Sequence, residues 1–324
     1  MEATGSPALM RAINASRVIR ELRAGGAQSR ADLVRATGLA KPTITNVVAH
    51  LEGLGYIARA EGSSQPADGR EALAPRYEYR ASRGQVLGID IGADKTLLIL
   101  ADLNGTTVGS ARFSTPATGG VDRILGELDG AVDGLLAEAR TSRESLLAVV
   151  AGTPGVISPD GVVTMAPQLK DWEGLHLAAV LGEHFACPIS IAGEATLSLQ
   201  AERWIGVAKG VDNALFVHLG IGVGAGLLVD GVIQHGADGA AGEIGLMPYP
   251  VSRPDGSLEL TSLESLASGA ALKRRGSALA ATPAGAQLLA LASGDPAAID
   301  AATVFAAARA DDAAARGLID EQIT

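Results

Sequence analysis

A single cysteine, Cys187, in 324 residues leaves no partner for a disulfide framework and excludes a zinc site built on cysteines. Aromatic residues make up only 3% of a chain that is 47% hydrophobic, so Ala, Val, Leu and Gly must fill the interior. That composition suits an α/β protein with helices packed closely on sheets. No apolar run reaches membrane-spanning length, and residues 1–14 lack the uninterrupted apolar core of a signal peptide, so a cytoplasmic location is expected. The five histidines, His50, His176, His184, His218 and His235, are scattered and read as structural or surface residues. A chain of this length is expected to form two or three folding units.

Charge is unevenly divided. Residues 1–83 carry 12 Lys and Arg against 8 Asp and Glu, a net of +4, whereas the remainder carries 14 against 28, a net of −14. A basic head on an acidic body implies that only the head approaches a polyanion.

The head reads as three short helices. The first covers 14–23, with Val18, Ile19 and Leu22 on one face, and stops at Gly25-Gly26. The second opens at Ser29, with Asp32 in the place of a capping-box partner, and breaks at Thr37-Gly38-Leu39. The third starts near Lys41-Pro42, and Ile44, Val47, Val48, Leu51 and Leu54 recur along it at helical spacing. Its other face presents Lys41, Thr43, Thr45, Asn46 and His50, polar groups that reach base edges and phosphates from a helix in the major groove. Two such helices joined by a glycine turn make a helix-turn-helix. Strands at 56–59 and 76–80 then flank a Gly-, Ser- and Pro-rich loop, forming a wing whose Arg59, Arg70 and Arg76 are available to phosphates or the minor groove. Arg30, at the start of the second helix, joins the candidate DNA contacts.

Beyond Gly84 the pattern changes to a three-strand meander followed by strands alternating with helices, which indicates a mixed α/β sheet. Residues 219–245, LGIGVGAGLLVDGVIQHGADGAAGEIG, hold nine glycines among strand formers. Such a stretch serves either as tight hairpins in a twisted sheet or as a backbone cradle for a ligand.

GIDIGADKT (88–96), TPGVISPDGVV (153–163), APQLKDW (166–172), LGIGVGAGLLVDG (219–231) and GEIG (242–245) resemble, in that order, the motifs of the ROK family of repressors, uncharacterised reading frames and sugar kinases. The resemblance implies a winged helix-turn-helix over 1–83, then an actin-like (ribonuclease H-like, sugar-kinase-type) two-lobed ATPase fold with its first lobe at 84–194 and its second at 195–324. It also implies an incomplete second lobe. Family members continue past Thr324 with a helix and a strand that close the cleft, so a sheet edge and an apolar helix face are expected to lie uncovered.

Departures from the family pattern bear on chemistry. Family kinases have Gly-Gly-Thr-Lys where this chain has Gly92-Ala93-Asp94-Lys95, a Gly-Thr-Gly turn where it has Gly220-Ile221-Gly222, and Asn-Asp where it has Gly193-Glu194. Asp94 would repel phosphates, Ile221 lacks a hydroxyl donor, and Glu194 is one methylene longer than the sugar-activating Asp, in a reaction that depends on positioning. No kinase activity and no cofactor are therefore expected. Zinc-binding members place a His where Leu246 stands and cysteines in a segment that here has none, so no metal is expected.

What the resemblance leaves for sugar binding is Gly155, Gln168, Glu194, Glu243 and Glu264. Carboxylates lining a glycine-walled pocket suit a neutral polyol better than an anion. The expected protein is a sugar-responsive, DNA-binding regulator, a repressor, acting as a homodimer or higher homo-oligomer on double-stranded operator DNA. In it, 219–245 would form the wall and hinge of the cleft. The alternatives are a glucokinase-like sugar kinase and a DNA-binding protein that has lost its effector.

Overall fold

A computed structural model describes residues 7–61, 74–116, 118–169, 171–253 and 255–323. The head contains α1 (Pro7–Gly25), β1 (Gln28–Ser29), α2 (Arg30–Thr37), α3 (Lys41–Gly53), β2 (Ile57–Arg59) and β3 (Arg76–Tyr79). Helix α1 starts seven residues earlier than the apolar pattern predicts. Its added turns bury nothing and leave Leu9, Met10 and Ile13 exposed, so local helix propensity extends it rather than packing. Ser29 caps α2 as predicted: its hydroxyl accepts from the Asp32 amide at 3.2 Å and the Asp32 carboxylate accepts from the Ser29 amide at 2.9 Å. Gly38 ends α2 in the left-handed region (φ 70°), with its amide on the Val34 carbonyl, and so turns the chain into α3.

The apolar stripe of α3 (Ile44, Val47, Val48, Leu51) meets Val18, Leu22, Leu33, Ile57 and Tyr77 in one buried cluster. The strands order β1–β3–β2, all antiparallel, and pair Gln28 with Tyr77 and Ile57 with Tyr79. The two-residue β1 has no sequence signal. It forms because β3 offers its free edge to the chain between α1 and α2.

The next unit contains β4 (Gln85–Ile91), β5 (Lys95–Asp102), β6 (Thr107–Ser114), α4 (Gly120–Glu138), β7 (Leu146–Thr153), β8 (Val156–Ile157), β9 (Val163–Met165), α5 (Leu177–Gly182) and β10 (Ile189–Gly193). Its main sheet runs β10–β7–β4–β5–β6. The meander β4–β5–β6 is antiparallel, and β4, β7 and β10 are parallel. The amphipathic α4 packs on β5 and β6, and Leu87, Ile89, Leu98, Leu128, Val149 and the fully buried Trp172 belong to one core. Because β4, β7 and β10 point the same way, their carboxyl ends gather on one side, where ligand crevices of parallel sheets form.

Helix α6 (Glu194–Ile205) leaves the end of β10 and packs on an antiparallel sheet of β11 (Ala214–Leu219), β12 (Val223–Val229) and β13 (Val232–Gln234). A Cβ at Gly226 would lie 2.7 Å from the Ala195 carbonyl oxygen, so glycine there sets how closely the helix approaches. Among the described strands β11 is an edge, and its outer face leaves Leu215 61% and Leu219 69% exposed. The hairpin β14 (Pro248–Ser252) and β15 (Leu258–Ser262) was not legible in the sequence, because it buries almost nothing and so shows no useful alternation. Helices α7 (Leu263–Ala267), α8 (Gly269–Ala280), α9 (Ala286–Leu291), α10 (Ala301–Arg309) and α11 (Ala313–Ile323) follow. Leu272, Leu288, Ile299, Val304 and Ala307 share their core. Among the described residues no helix is long and apolar enough to cross a membrane.

Candidate effector cleft and DNA-reading face

A cavity of about 690 Å³ opens where β7 and β10 end and α6 begins. All five sugar-site candidates, Gly155, Gln168, Glu194, Glu243 and Glu264, line it, although they come from segments more than 100 residues apart. Gly155 is left-handed (φ 99°), and a side chain there would run into the Met165 carbonyl, so the loop after β7 can take only glycine. Glu264, in α7, accepts a hydrogen bond from the Val223 amide at 2.8 Å. Gln168 and Glu264 both reach into the space that a side chain at Gly222 would occupy, which ties these two residues to the glycine turn.

Glu194 stands on the first turn of α6 with its Oε1 3.6 Å from Nε2 of His218, on β11. Burial pushes the Glu194 carboxyl above its ordinary range. The imidazole opposes that shift and Asp90, near the end of β4, adds to it. Asp90 is raised too, mainly by burial, with Lys95 and His218 opposing. Glu243 is raised by burial first, then by the neighbouring charges of Glu264 and Glu194. Among the described residues nothing donates a hydrogen bond to the Glu243 carboxylate, and it does not cap the short turn Ile244–Leu246 that follows it. The cavity therefore presents an acidic wall whose acceptors are only partly satisfied, a surface that hydroxyl donors would complete.

His218 and His235 correct the expectation that the histidines are scattered: His218 pairs with Glu194 and His235 lines the cavity. The other three fit it, with His50 exposed, His176 accepting from the Ala179 amide at the start of α5, and His184 on Asp129. The usable signal for His218 was its place two residues before the glycine turn. The departures from the kinase pattern are distributed differently. Asp94 is exposed and, with Ala93, lies outside the cavity lining, whereas Glu194 is part of it, as is Leu246, which stands where zinc-binding members have a His. In the Gly220-Ile221-Gly222 turn, the carbonyls of Gly220 and Ile221 accept from the first amides of α8, at 2.8 and 3.1 Å.

On the head, Lys41, Asn46 and His50 are exposed along α3 and Thr43 and Thr45 are half-buried. The Thr45 hydroxyl is turned back onto the Lys41 carbonyl at 3.0 Å. The arginines are more occupied than sequence suggests. Arg30 lies 5.3 Å from the Tyr77 ring centroid, its Nε buried and without a hydrogen-bond partner among the described residues. Arg59 pairs with Glu52 at 3.3 Å, and Arg76 donates to the Ala27 carbonyl, Nε at 3.1 Å. Arg70 lies outside the described residues.

A winged helix ahead of an α/β body whose cleft opens at the parallel strand ends defines a two-part protein, a helical head joined to an actin-like sugar-kinase fold. Residues 86–324 match the sequence profile of the ROK family and residues 12–71 that of the MarR family. The chain belongs to the ROK family. It is 27% identical over 242 residues to the xylose repressor of Caldicellulosiruptor bescii, which takes in 74% of this chain and 60% of that protein. It thus spans about three fifths of the length of the curated relatives it matches. Among solved structures, a ROK family transcriptional regulator, a homologue of the E. coli MLC protein, superposes with a TM-score of 0.68 at 22% identity, over 97% of this chain and 87% of that one. At that identity the likeness is one of fold. A ROK family glucokinase from Streptomyces griseus, solved with glucose and AMPPNP, gives a TM-score of 0.63 at 27% identity, over 74% and 75% of the two chains.

Proposed function

We propose that this chain is a sugar-responsive regulator of transcription, a repressor, that reads operator DNA with α3 and binds a neutral monosaccharide in the cleft between β7, β10, α6 and the glycine stretch. The observation that carries this is the convergence of Glu194, Glu243, Glu264, Gln168 and Gly155 on one cavity, with the Glu243 carboxylate open to it. Carboxylates crowded together in a half-buried cleft gain from hydroxyl donors and repel a phosphorylated sugar. Two copies would place two α3 helices on half-sites about one helical turn or a multiple apart. The sugar would act by linkage, shifting DNA affinity only as far as it prefers one pose of the head over another.

Support for a regulator over an enzyme comes from the chain's own residues. Ile221 offers no hydroxyl, and Glu194 is one methylene longer than the family's sugar-activating Asp, with its Oε1 3.6 Å from Nε2 of His218. The glucokinase likeness keeps a kinase as the second reading. The test is selection of duplexes from a random library with the full chain, followed by affinity measurements at moderate salt with D-xylose, D-glucose and a wider hexose and pentose panel. A selected duplex preferred over random DNA, and released or tightened by one sugar, is the expected result. No preference for any duplex would remove the proposal. Steady ADP release with a hexose, abolished by Glu194→Ala, would replace it with the kinase.

A further inference from the structure

Helix α6 begins in the cleft with Glu194 and carries Trp204, one residue before its end, about 15 Å further along its axis. Trp204 is 51% exposed, an unusual place for one of only two tryptophans in the chain. Its ring lies against the bare backbone of Gly105, in the turn between β5 and β6, so tightly that a side chain at 105 would overlap it. The same ring lies 6.0 Å from the guanidinium carbon of Arg23, on α1 of the head, and that guanidinium sits 5.8 Å from the ring of Tyr79 on β3. One cation thus bridges an aromatic ring of the head and an aromatic ring of the body.

The surroundings make this joint stiff on both sides. The end of α6 is closed by Glu202, whose carbonyl accepts from the Gly206 amide and whose carboxylate accepts from the Val207 amide at 2.8 Å. The chain between head and body is pinned as well. Arg83 Nε donates to the Leu54 carbonyl at 2.7 Å, its guanidinium covers Tyr56, and the Leu103 amide reaches the Ala81 carbonyl at 3.1 Å. A displacement of α6 that starts at Glu194 is therefore delivered at Trp204 with little slack.

We propose that Trp204 is the positioning residue through which the effector cleft sets the pose of the DNA-reading head, with Arg23 as its contact on α1. This deepens, and rests on, the effector-sensing function proposed above. Cleft closure moves α6 against the β5–β6 turn, the Trp204 ring slides on Gly105, and Arg23 carries the shift to α1 and so to α3, which α1 packs against.

The test uses the full chain with Trp204→Ala, Trp204→Phe and Arg23→Ala, measuring three quantities for each. These are the affinity for D-xylose and D-glucose by calorimetry, the affinity for a selected duplex without sugar, and the factor by which saturating sugar changes it. That factor is expected to lie in the 5- to 150-fold range common for coupled sites in the unaltered protein. It should fall to about unity in Trp204→Ala, with sugar affinity unchanged within about twofold, and recover in part in Trp204→Phe. Arg23→Ala, an exposed change that spares the fold, should lower it too. In the unaltered protein sugar should also shift the Trp204 emission, taken as the difference from Trp204→Phe. Full coupling surviving in both Trp204→Ala and Arg23→Ala would overturn the role of Trp204 and leave effector sensing intact. Absence of any coupling in the unaltered protein would overturn both.

Discussion

Exchanging Glu243 for Gln preserves the shape of the cleft wall and removes one charge, and the two consequences have opposite signs. The Glu243 carboxyl is raised above the ordinary glutamate range by burial and by Glu264 and Glu194. A group raised on folding contributes stability that is fully present below its unfolded value and is lost as pH rises through its folded one. The unaltered protein therefore loses stability through this group from near pH 4.5 upward. Glu243→Gln lacks that slope, so its Tm should match the unaltered protein in acid and exceed it at about pH 8. Sugar binding should move the other way. A hydrogen bond from a hydroxyl to a carboxylate is worth about 1.5–3 kcal/mol, equivalent to about 10- to 150-fold in Kd. The amide oxygen of Gln still accepts, which places the expected loss in the lower part of that range. Thermal melts across pH with and without sugar, paired with calorimetry, measure both effects. A variant that binds sugar as tightly as the unaltered protein and keeps the same slope of Tm with pH would refute the placement of Glu243 against the ligand.

Two glycine changes should separate by sign. Gly242→Ala puts a side chain onto the Ala225 carbonyl at φ 98° and disturbs the 2.7 Å bond from the Ala225 amide, for a loss of about 2–4 kcal/mol in urea unfolding. Gly126→Ala, in α4 with open space around it, should gain up to about 1 kcal/mol in the same assay. Ser29→Ala removes the cap of α2 and should lower stability by about 1 kcal/mol, seen as a lower urea midpoint at constant m-value. On α3, Lys41→Ala should weaken all duplexes alike and reduce the salt slope by about one unit, whereas Asn46→Ala should relax sequence preference with little change in slope.

The head was largely legible in the sequence because its determinants are local. Ser29 and Asp32 cap each other three residues apart, Gly38 turns the chain, and the α3 stripe repeats at helical spacing. The meander and the parallel strands were legible for the same reason, as short apolar runs punctuated by turns. Weakly buried pieces were not. The extra turns of α1 and the hairpin of β14 and β15 lack the burial that writes a pattern, and β1 exists only by pairing with β3. The engagement of Arg30 by Tyr77 and of Arg76 by the Ala27 carbonyl was also invisible, since each joins residues 47 and 49 positions apart.

Sequence alone was enough to determine that the chain has a basic helix-turn-helix head and an acidic α/β body of the ROK type, and which glycines and carboxylates belong to its motifs. Hydrophobic period, capping and turn chemistry act over a few residues and can be read one stretch at a time. Only the tertiary structure decided that Gly155, Gln168, Glu194, Glu243 and Glu264 share one cavity, that His218 answers Glu194, and that Trp204 meets Arg23 and Gly105. Those meetings depend on strand order and on how closely α6 lies over the Gly226 backbone, quantities set by long-range packing and by no single segment of the chain.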